Sequence, residues 1–155
     1  NVDHKEGLIR LCETIEGIAD HFKIVFPIHP RTMKKAAEYG LTDRIENNPN
    51  LILTEPLDYF AFQKLIKTSF LVLTDSGGIQ EETTFYQVPC LTARENTERP
   101  STITEGTNQL IQFDPEVIMS KLNEAMDGKT KKGSVPKYWD GKATNRIFEV
   151  LKKEL

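Results

Sequence analysis

Apolar positions along the chain alternate between two spacings. Leu8, Leu11, Cys12, Ile15, Ile18, Ala19 and Phe22 recur at three and four residues, the stripe of an amphipathic helix. Lys23–Ile28 (KIVFPI) is instead a short apolar run that reads as a buried strand, broken by His29-Pro30-Arg31-Thr32. Met33–Tyr39 reads as a helix stopped by Gly40. The alternation then repeats. Strands are expected at Leu51–Leu53, Phe70–Leu73, Pro89–Thr92 and Gln109–Ile111, and helices at Tyr59–Lys67, Ile79–Tyr86, Pro115–Met126 and Ala143–Leu155. A polar Lys/Gly stretch, Asp127–Gly133, precedes the last helix, and the chain has no internal repeat.

Strands that alternate with helices, and that are apolar throughout, predict an α/β fold: a Rossmann-like parallel sheet with helices on both faces. The length of 155 residues suits one domain with its own core. In such sheets ligands sit at the carboxyl ends of the strands. That rule selects three loops: His29–Thr32, Glu55–Asp58 and Thr74–Gly78.

Composition narrows the partners. With 20 Lys+Arg against 23 Asp+Glu the net charge is −3, which gives no general attraction to nucleic acid or an anionic membrane. No apolar run approaches the ~18 residues of a membrane span. Cys12 and Cys90 are far apart and lack CxxC spacing, so neither a metal site nor a redox dithiol is expected, and a reducing cytoplasmic setting fits. The opening Asn1-Val2-Asp3, with no Met or signal peptide before a charged helical stretch, reads as a piece of a longer chain.

Thr74-Asp75-Ser76-Gly77-Gly78-Ile79-Gln80-Glu81-Glu82 carries the clearest chemistry. A buried strand runs through Ser-Gly-Gly straight into a helix. The glycines let backbone N–H groups approach a ligand, and the helix N-terminus favours a phosphate or diphosphate. Ser76 adds a hydroxyl. Glu82, about a turn and a half into the helix, is placed to accept from two vicinal ribose hydroxyls. The same residues also suit a plain tight turn with Asp75 or Ser76 as N-cap. The Gly-Lys-Ser/Thr ending of a Walker A loop is missing. Arg94-Glu95-Asn96-Thr97-Glu98-Arg99-Pro100 follows a strand and sets two guanidinium forks at a strand end, with Glu95 and Glu98 available to hold them, or else is a solvated charge run. Pro56–Phe62 offers rings beside a planar base, or core packing under the next helix. His29 with Arg31 can meet an anion.

Together these segments carry a resemblance. TDSGGIQEE (Thr74–Glu82), Val88–Thr92, RENTERP (Arg94–Pro100) and EGTN (Glu105–Asn108) resemble the carboxyl-terminal half of the non-hydrolysing UDP-N-acetylglucosamine 2-epimerases. His29–Thr32, Pro56–Tyr59 and Trp139–Ala143 support the likeness, which runs over almost the whole chain. It implies the second domain of a glycosyltransferase B type fold, with the nucleotide sugar between two Rossmann-like domains. In that frame Ser76, Gly77 and Gly78 hold the diphosphate, Glu82 the ribose, and Arg99 the phosphate side. Leu57 (through its backbone) and Phe62 border the uracil. His29 falls where some bacterial relatives bind a second, activating UDP-N-acetylglucosamine. The likeness implies no cofactor or metal, a homodimeric whole enzyme, and a place in polysaccharide precursor synthesis.

Two departures bear on activity. Ala93 stands where Leu is usual before the Arg. The family also carries a His-Arg-x-Glu-Asn motif whose His is a catalytic candidate. Asn1 matches only its last residue, and His4 has the wrong context to replace that His. No catalytic residue is therefore expected within the chain, and the 155 residues alone are expected to be inactive. The family's reaction interconverts UDP-N-acetylglucosamine and UDP-N-acetylmannosamine by eliminating UDP to a 2-acetamidoglucal and adding it back. Three further readings stay open: an epimerase of a modified sugar such as a diacetamido uronic acid, a glycosyltransferase of the same fold, and a non-enzymatic nucleotide-binding module.

Overall fold

The computed structural model describes residues 1–154; Leu155, the last residue of the expected final helix, lies outside them. Helix α1 (Lys5–Ala19) buries Leu8, Cys12, Ile15 and Ala19, the stripe read from spacing. It leads to β1 (Ile24–Pro27), α2 (Pro30–Glu38), α3 (Thr42–Glu46) and β2 (Leu51–Thr54). Then follow α4 (Tyr59–Thr68), β3 (Val72–Thr74), α5 (Gly77–Tyr86), β4 (Cys90–Ala93), α6 (Pro100–Thr104), β5 (Asn108–Ile111), α7 (Pro115–Met126) and α8 (Ala143–Glu154). No described helix is long and apolar enough to cross a membrane.

All strand pairs are parallel, as the βα alternation requires. Among the described residues the hydrogen-bonded ladders are two: β1–β2, with Ile24 opposite Leu51, and β3–β4–β5, with Leu91 opposite Leu73 and Gln109. Each ladder has its own apolar cluster. Leu8, Cys12, Ala36, Leu41 and Ile45 form the first, under Leu51 and Leu53. Leu91, Ile111, Ile118 and Leu122 form the second, with Leu71, Leu73 and Ile18 against them. Helix α1 contributes to both, since Leu8 and Cys12 belong to one cluster and Ile18 packs on the other. The register partners Val25 and Ile52 remain 38% and 49% exposed, so helices do not fully cover this face of the first ladder.

Strand β4 is buried at every residue. Side chains alternate across a strand. Leu91 joins the apolar cluster below α7, whereas Cys90 and Thr92 belong to a buried polar layer with Thr83, Thr102 and Asn108. Phe70, expected to open β3, instead stacks on Phe22 at a centroid distance of 5.5 Å, and β3 begins at Val72. After α7 the chain crosses back over β5 and α6. The Lys131 ammonium donates to the carbonyls of Asn108 (3.0 Å) and Ile103, and Ser134 N–H donates to Glu105 O at 2.8 Å. Burial holds that ammonium's pKa below the ordinary lysine value. Helix α8 buries none of its residues: Ile147, Phe148, Val150 and Leu151 are 59%, 61%, 59% and 53% exposed.

Candidate functional site

The turn between β3 and α5 forms because Thr74 Oγ1 accepts from the Ser76 N–H at 3.1 Å, bending the chain as it leaves the strand. Ser76 is the N-cap residue, with extended backbone (φ −82°, ψ 134°), but its side chain makes no capping bond. The hydroxyl is thus left for another partner, and the tight-turn reading accounts for only part of the motif. Helices α2, α4 and α7 differ in this respect. His29 Nδ1 caps α2 by accepting from Arg31 N–H, Asp58 caps α4 and Asp114 caps α7.

The two glycines of α5 have different surroundings. A Cβ at Gly77 would run into the Glu98 carboxylate, whereas nothing lies within 4 Å of a Cβ at Gly78. Gly78 therefore faces open space beside the unsatisfied N–H groups of the first turn. Glu98 also pairs with Arg94 at 3.1 Å. Its own backbone N–H, then the Arg94 and Arg99 guanidinium groups, hold its carboxyl below the ordinary glutamate range. Arg99 pairs with Glu81 of α5 at 3.2 Å. Of the two acids expected to hold the arginines, Glu98 does so; the partner of Arg99 comes from the helix rather than from Glu95.

A cavity of about 650 Å³ opens at these strand ends, lined by Asp75, Gly77, Ala93, Arg94 and Glu98, with Asn1 on its wall. The Asn1 amide donates to Ala93 O at 3.0 Å and to Asp75 Oδ2 at 3.4 Å. The start of the chain is thereby brought to one of the loops selected from the sequence, Thr74–Gly78, and to the end of β4. A second cavity, of about 290 Å³, lies along α4 and α5 between Tyr59, Gln63, Glu82, Tyr86 and Trp139. Glu82 Oε2 is buried there and meets no hydrogen-bond donor among the described residues, and Gln63 Nε2 is buried and meets no acceptor among them.

Ser76, Gly77, Gly78 and Glu82 share α5 and its cap, and Arg99 is tied to that helix through Glu81. Leu57 and Phe62 flank the start of α4, which packs on α5, and both are half-buried. Tyr59 and Phe60, by contrast, are 64% and 82% exposed, so core packing does not explain these two rings. His29 is exposed at the β1 end and lines neither cavity. Burial pushes the Cys12 and Cys90 thiols up, away from the thiolate. Sequence reasoning missed Gln63, Glu81 and Trp139. Gln63 follows from helical spacing, one turn after Tyr59, and Glu81 one turn after Gly77, both at i, i+4. Nothing local predicts Trp139, which arrives from the crossing segment.

The family model for UDP-N-acetylglucosamine 2-epimerase matches residues 1–152. The chain is 40% identical over 153 residues to the UDP-N-acetylglucosamine 2-epimerase of Methanocaldococcus jannaschii, a match covering 97% of this chain and 41% of that protein. The crystal structure of the Methanocaldococcus jannaschii UDP-GlcNAc 2-epimerase in complex with UDP-GlcNAc and UDP superposes with a TM-score of 0.80 at 38% identity, over 99% of this chain and 42% of that one. The UDP-2,3-diacetamido-2,3-dideoxy-D-glucuronate 2-epimerase of Pseudomonas aeruginosa is 32% identical over 154 residues, covering 99% of this chain and 42% of that protein. The chain thus spans about two-fifths of the length of the relatives it matches.

Proposed function

Because the chain belongs to the UDP-N-acetylglucosamine 2-epimerase family, we propose that it is the UDP-binding domain of an enzyme that interconverts UDP-N-acetylglucosamine and UDP-N-acetylmannosamine. In this reading residues 1–155 form one nucleotide-binding domain, the carboxyl-terminal half of a two-domain, homodimeric enzyme. The free, buried thiols of Cys12 and Cys90 suit the reducing cytoplasm.

The observation that carries the reading is the buried Glu82 Oε2 without a donor. A carboxylate in that state is costly unless a ligand completes it. Vicinal ribose hydroxyls are a matching pair of donors. Glu82 lies five residues after Gly77, about 7.5 Å along the helix axis. That is a fitting separation between a ribose edge and the far phosphate of a nucleoside diphosphate. The phosphates then reach the first turn of α5, where the N–H groups, the Ser76 hydroxyl and the open side of Gly78 receive them, with Arg99 alongside. Leu57 and Phe62 border the uracil.

In the reaction the bond between C1 and the diphosphate oxygen breaks and UDP departs with the electron pair while C2 loses its proton. UDP then adds back to C1 of the glycal as a proton reaches C2 from the other face. Charge collects on the diphosphate in the transition state, so donors aimed there lower the barrier. This chain's residues bind and orient UDP through both steps, and the groups that move the C2 proton belong to the remainder of the enzyme. His29, exposed and away from the α5 turn, remains the candidate contact for a second, activating nucleotide sugar.

The test is calorimetric titration of the chain with UDP, together with an assay for exchange of solvent deuterium into C2 of UDP-N-acetylglucosamine. UDP binding without exchange is expected of the 155 residues. Absence of UDP binding, or C2 exchange by the chain alone, overturns the reading.

A further inference from the structure

Behind the α5 turn lies a closed ring of hydrogen bonds that the assignments above do not use. The Thr97 hydroxyl accepts from the Arg99 N–H at 3.0 Å and donates to Gln80 Oε1 at 2.6 Å. The Arg99 carbonyl accepts from the Thr102 hydroxyl at 2.7 Å. Asn108 Nδ2 closes the ring, donating to Thr102 Oγ1 (3.2 Å) and to the same Gln80 Oε1 (3.0 Å). Asn108 is itself oriented by Thr92, whose hydroxyl donates to Oδ1 at 2.6 Å. Gln80, Thr92, Thr102 and Asn108 are fully buried. The other end of Gln80 points to the turn, where Nε2 donates to the Ser76 carbonyl at 3.3 Å.

Residue 99 is therefore held at three points: its N–H by Thr97, its carbonyl by Thr102 and its guanidinium by Glu81. Gln80 touches both the Ser76 turn and this ring. Its amide is fixed in one orientation, because Oε1 accepts two bonds and Nε2 donates to a carbonyl. A planar amide so fixed is a spacer of constant length between two loops separated in sequence.

We propose that Thr97 and Gln80 are positioning residues that set Arg99 in register with the Ser76–Gly78 turn, so that both meet one diphosphate without rearrangement. The inference rests on the UDP-binding reading above. Thr97 touches no assigned ligand position itself; it acts on the phosphates through Arg99. Preorganised donors bind more tightly because no ordering is needed at the moment of binding.

The experiment compares Thr97→Val, which deletes the hydroxyl and keeps the shape, with Thr97→Ser, which keeps the hydroxyl. UDP, inorganic diphosphate and uridine are titrated into the full-length protein. Thr97→Val is expected to weaken UDP and inorganic diphosphate about 5- to 10-fold each, the effect of one mispositioned charged contact. Uridine binding should hold, and Thr97→Ser should restore the loss. In an Arg99→Ala background Thr97→Val should cost nothing more. Should the valine variant not fold, Thr97→Ala gives the same comparison. Equal affinity of the Val and Ser variants for UDP overturns the assignment, as does equal loss of all three ligands or an undiminished effect without Arg99. If the wild type takes up no UDP, the functional reading itself fails and this one with it. UDP binding that Thr97→Val leaves unchanged removes this inference alone.

Discussion

Replacing Glu82 by Met separates stability from binding in one step. The thioether is unbranched and of similar length, so the helix is undisturbed while both carboxylate oxygens are removed. In the free chain Glu82 Oε2 is buried with no donor, beside the aromatic wall of the 290 Å³ cavity. An unsatisfied buried polar atom costs roughly 1–3 kcal/mol, and the half-buried side chain places Glu82 at the low end, about 1 kcal/mol. For a domain of this size that is a rise in Tm of roughly 2–4 °C. Binding should move the other way. Hydrogen bonds to a charged acceptor contribute about 1.5–3 kcal/mol, so losing the ribose contacts should weaken UDP about 10- to 100-fold. Inorganic diphosphate has no ribose and should bind as before. Thermal unfolding by circular dichroism gives the first quantity, and calorimetry with the two ligands gives the second. A lower midpoint would mean that the oxygen is already satisfied in the free chain. Equal losses for UDP and diphosphate would mean that Glu82 does not hold the ribose.

Gly78→Ala should leave stability unchanged or slightly raised, since nothing lies within 4 Å of the new Cβ, yet weaken diphosphate binding by occupying the open approach; Gly133→Ala should destabilise by about 1–3 kcal/mol, because its Cβ meets fixed backbone at Gly106 and Thr107, and urea unfolding distinguishes the two. The exposed Ile147, Phe148, Val150 and Leu151 of α8 should drive self-association of the 155-residue chain in sulfate at high concentration, seen by sedimentation and abolished by Phe148→Glu with Leu151→Lys; a strict monomer would refute it. Asp140 is held down to about 2 by its hydrogen bonds to Arg146 and then by the Lys142 N–H. A lowered carboxylate pKa means stability present above the ordinary aspartate value and lost as pH falls through the folded one. The start of α8 should therefore loosen between about pH 4 and pH 2; Arg146→Met should bring the Asp140 titration, followed by NMR, back toward 3.8, and an unmoved titration would refute the assigned cause.

What the sequence determined by itself is local and periodic. The spacing of Leu8, Cys12, Ile15 and Ala19 is α1, and the run Pro115–Met126 is α7 to the residue. Five apolar runs are five parallel strands, and TDSGGIQEE lies as read, a strand passing through Ser76 into α5. Helices α3 and α6 escaped because five residues hold too little of a helical period to register one. Only the tertiary structure decided which polar residues are interior. Gln80, Thr92, Thr102 and Asn108 read as ordinary polar positions, yet they are fully buried because each finds its partner in another. Those partners lie 16, 28 and 6 residues apart, at separations set by the stacking of β4, β5, α5 and α6 and by no local pattern. The approach of Asn1 to Asp75 and Ala93, and of Trp139 to the Glu82 cavity, is decided in the same way. Periodicity records which face of an element avoids water. Which polar atoms meet on the inward face depends on how whole elements stack, because an unpaired polar atom is costly inside while a paired one is nearly free.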